Sequence, residues 1–337
     1  MSAPLIKLQF DDLVPAFQSQ GFQAVGAVDY QKALPLYQEH ARRYEDWIAQ
    51  KKQGAMTYLE RGLDRRLDPT LVFPNLKSVI AVALPYSPHP VEANGLKYAR
   101  YLNGPDYHET LKNKLKAALE QLRESQATPK NFEYKICVDT SAVLERSWAV
   151  LCGLGWIGKN TLLIHPQLGS YLFLGVVFTN AEFGLPPTLL KDYCGSCTRC
   201  IRVCPTEALK DHDLDANECI SYLTLEKRGA WDKSVSTKGF LAGCDLCQEV
   251  CPYNTKAVKN NLDPGVSSHL TLDVPELLSE TEAQYRVRVK GTALSRIKYI
   301  DFKRNLERAL DQIVTKSTSQ PLTDSQTVED DGIFKGI

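Results

Sequence analysis

Eight of the ten cysteines in this chain lie between positions 194 and 251, and their spacing constrains the fold more than any other feature. The first run reads Cys194-Gly-Ser-Cys197-Thr-Arg-Cys200-Ile-Arg-Val-Cys204-Pro205. Three cysteines at intervals of three let one loop wrap three corners of a cubane, while the fourth, followed by proline, points away and ligates a second cluster. Such a run needs a partner downstream. Cys244-Asp-Leu-Cys247-Gln-Glu-Val-Cys251-Pro252 is that partner, one ligand short of a full repeat, and Cys219 supplies the missing thiol. The spacing therefore assigns Cys194, Cys197, Cys200 and Cys251 to one 4Fe–4S cluster and Cys204, Cys219, Cys244 and Cys247 to another. Cys-x-x-Cys pairs also suit structural zinc. The third cysteine at the same interval and the repeated Cys-Pro argue against it. Cys137 and Cys152 sit in apolar sequence and read as small buried hydrophobes.

Thiols in this density need a reducing compartment if they are to hold metal. The start of the chain lacks the charged-then-apolar layout of a signal peptide and has no twin-arginine pair, so the cytoplasm is the expected location. No apolar run approaches the roughly 18 residues that span a bilayer. Forty basic residues balance forty acidic ones, so no global field announces a nucleic-acid partner, and a basic patch has to be sought locally. Two clusters move single electrons and define no reaction. With 337 residues the chain has room before the cysteines for a second redox centre or a substrate pocket.

Apolar periodicity predicts helices over residues 34–53 and 107–124, and strands over 78–84, 132–138 and 171–178. Residues 143–151 read as helical. Pro186-Pro187 and Asp263-Pro264-Gly265 mark breaks, a helical region is expected over 275–315, and the polar tail from residue 316 reads as disordered. Gly153-Leu-Gly155-Trp-Ile-Gly158 matches a dinucleotide-binding pattern, but that pattern needs a strand before it and a helix after it. Here the order is reversed, so the glycines are expected to allow a tight turn or a close backbone approach. Asp139 follows the strand expected at 132–138, where ligand sites of α/β layers lie. As Asp139-Thr140-Ser141 also precedes a helix, an N-cap is the favoured reading of the residues alone. His108 and His165 read as structural.

At this point the sequence resembles the epoxyqueuosine reductases, from the N-terminal region to about Ala309. The matching blocks are Asp106-Tyr107-His108, Val138-Asp139-Thr140, Gly155-Trp156-Ile157-Gly158-Lys159-Asn160 and Gly169-Ser170-Tyr171. They continue through Cys194-Gly195-Ser196-Cys197, Cys219-Ile220-Ser221-Tyr222-Leu223-Thr224, Gly243-Cys244-Asp245 and Lys290-Gly291-Thr292-Ala293.

The resemblance implies an α+β chain. A nitroreductase-like cobalamin domain is expected over residues 1–185, a ferredoxin-like two-cluster domain over 186–262, a basic helical tRNA-binding region over 263–315, and the tail over 316–337. It implies reduction of epoxyqueuosine to queuosine at the tRNA wobble position, with cobalamin bound base-off. The Asp-x-His-x-x-Gly signature of one kind of cobalamin site is indeed absent, position 111 being leucine. Asp139 matches the family's proton donor and cofactor contact, and apolar surroundings with the corrin are expected to raise its pKa. Arg66, Leu163, Leu174, Ser221, Asp245 and Leu246 match cobalamin contacts. Between Arg286 and Arg308 eight basic residues face two acidic ones, and Lys290, Arg296, Lys298 and Arg304 are the expected tRNA contacts. A flavodoxin or ferredoxin is the expected electron donor, and the chain is expected to act as a monomer. A corrinoid reductive dehalogenase shares this plan, but carries an export signal and no basic C-terminal helix. A non-catalytic electron carrier would need neither Asp139 nor cobalamin.

Overall fold

A computed structural model describes residues 5–232, 234–259 and 270–319. Before the cysteines the chain runs α1 (Val14–Ser19), β1 (Ala24–Asp29), α2 (Tyr30–Ala49), β2 (Ser78–Pro85), β3 (Val91–Ala93), β4 (Leu96–Tyr98), α3 (Tyr107–Glu124), β5 (Tyr134–Cys137), α4 (Glu145–Leu151) and β6 (Leu172–Thr179). The apolar run Ser-Val-Ile-Ala-Val-Ala-Leu-Pro of β2 is the kind that fills a strand covered on both faces. It lies in the middle of an antiparallel sheet of order β1-β2-β6-β5, with Ile80 paired to Ala27 on one side and to Val177 on the other. On one face Tyr37 of α2 stacks on Trp148 of α4, ring centres 4.3 Å apart. On the other, Phe17 of α1 packs with Leu115 and Leu119 of α3. Full burial of each such side chain stabilises the fold by about 1.5–3 kcal/mol.

After α4 the glycine run turns the chain into a short hairpin, Trp156–Ile157 against Leu163–Ile164. A Cβ on Gly155 would meet the Ile164 carbonyl oxygen at 2.2 Å, so close backbone approach is what this glycine provides. Cys137 and Cys152 are buried in the apolar core.

The cysteine segment contains α5 (Arg199–Val203), a hairpin of β7 (Leu209–Lys210) and β8 (Asp213–Leu214), α6 (Ile220–Leu225), β9 (Phe240–Ala242), α7 (Leu246–Glu249) and α8 (Pro252–Lys259). Strand β9 pairs in parallel with β4, which pairs in turn with β3. Leu96, Tyr98 and Leu102 thereby share one core with Leu241 and with Leu277, Tyr285, Phe302 and Leu306 from the C-terminal helices. Packing crosses the boundaries expected near residues 185 and 262. Arg100 reinforces the junction: its Nη1 lies 3.0 Å from Asp245 and 2.7 Å from Glu249, both in or beside α7.

The region expected to be helical over 275–315 divides into α9 (Val274–Ser279), α10 (Glu282–Arg288) and α11 (Tyr299–Ser319). Thr281 and Gln284 form a reciprocal capping box that starts α10. The break expected at Asp263-Pro264-Gly265 lies outside the described residues, as does the tail from residue 320, whereas residues 316–319 continue α11. Among the described residues no helix is long and apolar enough to cross a membrane.

Candidate functional site

The ten cysteines are free of disulfides. Burial raises the Cys244 thiol, and the neighbouring Cys219 and Cys204 add to the shift. Cys247 is raised by burial and then by Cys244 and Cys219. Cys200 is raised by burial, then by Cys197 and Cys251, and Cys251 in turn feels Cys197. Cys194 packs with Cys251 beside Trp156 and Tyr253. The thiols thus gather in two neighbourhoods, which adjoin where Cys247 feels Cys200. Among the described residues no three His, Cys, Asp or Glu side chains converge closely enough to hold a single ion. Two adjoining groups of thiols are the donors that a pair of 4Fe–4S clusters needs.

Asp139 stands two residues past β5 with φ +46°, in the left-handed region that costs a residue other than glycine about 1–2 kcal/mol and that Asp tolerates better than most. Helix α4 begins later. Its N-cap is Leu144, without a side-chain hydrogen bond, so the expected capping role of Asp139 is corrected. The intervening turn aims the carboxylate at α3 instead, where Oδ2 lies 2.7 Å from Nε2 of His108. The opposite ring nitrogen, Nδ1, lies 2.5 Å from Asp106 Oδ1. Tyr107 stacks between Phe173 and the His108 ring. Enclosure pushes the Asp139 carboxyl up, but the hydrogen bond and charge of His108, with Arg296 and Tyr107, hold it below the usual carboxylate range.

Glu145, the first residue of α4, shows the opposite behaviour. Burial pushes its carboxyl up to about 8, the charge of Asp139 adds to this, and Oε1 is buried without a partner. A carboxyl raised in this way contributes stability below the ordinary Glu range and loses it as pH rises through the folded value. Glu145→Gln should therefore match the parent near pH 5 and exceed its stability by about 2–4 kcal/mol at pH 9, each tenfold change in proton affinity being worth about 1.4 kcal/mol. Urea unfolding at the two pH values measures this, and a difference that does not grow with pH refutes it.

Arg66 is buried at the end of a short helix, yet among the described residues only its Nη1 donates, to the carbonyls of Arg61 and Gly62. The other guanidinium donors are left for a ligand. Leu174, Leu172, Ile157 and Leu144 are partly exposed apolar side chains on the same core as buried Leu163. Ser221 and Leu246 are partly exposed beside the second thiol group. The Asp245 carboxylate is already taken by the Arg100 backbone N–H at 2.7 Å and by its guanidinium. Its side chain serves the fold, which leaves its backbone for any contact. Burial raises the Tyr101 phenol, and the nearby charges of Asp245 and Asp139 both add to the rise. An apolar wall, spare Arg66 donors and the orphaned Glu145 oxygen fit a large ring with amide edges, as a corrin is.

Lys290, Arg296 and Lys298 are exposed, and Arg296 and Lys298 line a groove with Arg286, Tyr285 and Tyr299. The charge of Arg296 also reaches Asp139, Tyr107 and Tyr58, which places this cation near the Asp139 carboxylate. Arg304 differs. Its guanidinium donates to the carbonyls of Lys227, Leu223 and Gly229, to Asp301 and to Asn305. Its donors are consumed in anchoring the loop after α6, which corrects its expected place among the tRNA contacts. Sequence reasoning read His108 as merely structural and passed over Arg100 and Glu145. The signal for the first was the closely spaced Asp106-Tyr107-His108 at a helix start.

Residues 66–140 match the family described as epoxyqueuosine reductase QueG, DUF1730, and residues 193–254 match a 4Fe-4S double cluster binding domain. An epoxyqueuosine reductase of Cyclobacterium marinum is 36% identical over 275 residues, covering 80% of this chain and 87% of that protein. One from Atelocyanobacterium thalassa is 35% identical over 305 residues, covering 86% and 95%. Among solved structures, the Bacillus subtilis epoxyqueuosine reductase with its catalytic loop swung out of the active site superposes with a TM-score of 0.74 at 26% identity, over 91% of this chain and 82% of that one. An epoxyqueuosine reductase bound to an epoxyqueuosine-modified tRNA-Tyr stem loop gives 0.71 at 26% identity over the same shares. On this evidence of sequence and structure together, the chain belongs to the epoxyqueuosine reductase family.

Proposed function

We propose that the chain reduces epoxyqueuosine to queuosine at the wobble position of tRNA, taking the epoxide oxygen away as water. The observation that carries this reading is a half-exposed carboxylate, Asp139, which shares the neighbour Tyr101 with Asp245 of the second thiol group and feels the charge of Arg296 from the basic groove. Two electrons and two protons convert an epoxide into an alkene and water. The thiol neighbourhoods support Cys194, Cys197, Cys200 and Cys251 as ligands of one 4Fe–4S cluster, and Cys204, Cys219, Cys244 and Cys247 of the other. The thiols of the second group neighbour Ser221, Asp245 and Leu246 in the chain, so the cluster they would hold would lie nearer the cobalamin contacts, and a flavodoxin or ferredoxin would supply electrons through the first.

Arg66, Leu163, Leu174, Ser221 and the backbone at Asp245 and Leu246 would hold cobalamin, which would supply low-potential reducing chemistry at the epoxide. The chain's own residues manage the oxygen. Breaking the C–O bond places negative charge there, and Asp139 gives it a proton. The wobble base is presented unstacked, as single-stranded loops allow.

Exposed cations along the groove hold the tRNA backbone. Each phosphate contact adds about 0.7–0.9 to the slope of log affinity against log salt. Lys290→Gln with Lys298→Gln should flatten that slope by about 1.4–1.8 in a filter-binding titration, whereas Arg304→Gln should leave it unchanged. An unchanged slope in the double variant would place the tRNA elsewhere.

The function itself is tested anaerobically. The protein, reconstituted with iron, sulfide and cobalamin and given a low-potential reductant, is incubated with epoxyqueuosine-tRNA, and the digested nucleosides are weighed. Loss of one oxygen mass that depends on cobalamin supports the reading. No change with clusters and corrin loaded refutes it.

A further inference from the structure

The reaction consumes two protons, and Asp139 alone carries at most one. His108 is almost fully buried, with one ring nitrogen on Asp106 and the other on Asp139. An ionised carboxylate only accepts hydrogen bonds, and a neutral imidazole has a single N–H. Two hydrogen bonds from one ring to two carboxylates therefore require an extra proton, on the ring or on one of the carboxyls.

The surroundings say where it goes. From α3 the ring is faced by Asp106 and stacked by Tyr107. From the turn after β5 it is faced by Asp139, on which the charges of Arg296 and Glu145 also act. The Asp106 side chain is 23% exposed, that of Asp139 51%, and the ring between them 3%. Asp106 is also the N-cap of α3, accepting from the His108 backbone N–H, and this fixes it against the ring. Of the two carboxylates on the ring, Asp139 is the one half open to solvent.

Resting on the function proposed above, we propose that the buried His108 ring stores a proton that Asp139 relays to the substrate, with Asp106 holding the ring. As the C–O bond breaks, His108 passes its Nε2 proton to the Asp139 carboxylate, which gives it to the oxygen. Asp139 takes the second proton from solvent through its half-exposed side, gives it to the departing oxygen, and water leaves. One proton from the ring, one from solvent and two electrons thus convert the epoxide to alkene and water. His108 ends as neutral imidazole, its Nδ1–H still on Asp106, and is recharged from solvent through Asp139. His108 never touches the substrate, so it is a positioning residue that acts through Asp139.

The test uses the reconstituted holoenzyme. His108→Ala should slow single-turnover formation of queuosine by about 10²-fold, within the usual range for general acid–base groups. Imidazole in the buffer should restore at least about a tenth of the lost rate, and pyrazole, of the same shape but a far weaker base, should not. Equal recovery by both, or no loss in the variant, would show a merely structural ring and overturn the proposal. A second readout needs no turnover. With the clusters oxidised, the nitrogen-15 spectrum of ring-labelled protein at neutral pH should show both His108 nitrogens protonated, and Asp139→Asn should return the ring to a single N–H. A singly protonated ring in the parent overturns the proposal even if epoxyqueuosine is not the substrate. An inactive parent with a doubly protonated ring sinks only the assigned substrate.

Discussion

Asp139→Asn is expected to lower single-turnover reduction of epoxyqueuosine by about 10²–10⁴-fold while leaving cluster content, bound cobalamin and folding stability unchanged. The substitution is mild in every respect but one. Asn has the same shape and tolerates the left-handed backbone at φ +46°. Its amide N–H can donate to the then unprotonated His108 Nε2, and no core packing is lost, because half the side chain is open to solvent. What it lacks is a proton that can be given to an oxygen. Asp139→Ala removes more: it loses the His108 contact and places a Cβ without compensating hydrogen bonds in a strained conformation, which adds about 1 kcal/mol of instability. The Asn variant is therefore the clean probe. Anaerobic quench-flow with nucleoside mass analysis measures it, alongside absorbance of clusters and corrin. Turnover within threefold of the parent, with both cofactors loaded, would remove Asp139 from the proton path.

Much of this site was legible in the residues, and what was missed has physical causes. The cysteine spacing was informative because a cubane dictates where its thiols must sit along the chain. Strands β2 and β6 were legible because both are long apolar runs in the middle of the sheet. Strand β1 was not predicted: Ala24-Val-Gly-Ala-Val-Asp29 is short and rich in small residues, and only its pairing with β2 fixes it. The same holds for β9, whose partner β4 lies more than a hundred residues earlier. Asp139 was read as a cap because local sequence reports only the next helix. Its true partner, His108, is thirty-one residues back on another element. Enclosure of its carboxyl was anticipated, but not the neighbours His108 and Arg296, which come from distant parts of the chain. Arg304 looked like a tRNA contact because composition registers a cation but not the carbonyls around it.

Arg100→Ala should destabilise the protein by about 3–5 kcal/mol, the cost of stripping one partner from a buried ion pair. Arg100 and Asp245 are both almost fully buried, and the guanidinium also serves Glu249 and the Pro88 carbonyl. Burial already raises the Asp245 carboxyl, with Arg100 opposing the shift through its backbone N–H and its charge. Without the guanidinium Asp245 must be buried charged and unpaired, or take up a proton. A raised carboxyl favours the fold below the ordinary Asp range and penalises it as pH rises, so the variant should be least stable at neutral pH and recover toward pH 5. The loss is not only global. Asp245 lies between Cys244 and Leu246, and Glu249 follows Cys247 on the same short helix. Loosening α7 should therefore release the second cluster before the first. Urea titration followed by iron–sulfur absorbance should show two steps in Arg100→Ala where the parent shows one. The double variant Arg100→Met with Asp245→Asn removes both charges and should regain at least half of the lost stability, since no ion is then left buried alone. If the single variant costs less than about 1 kcal/mol, the pair is not what holds the cluster segment against the sheet.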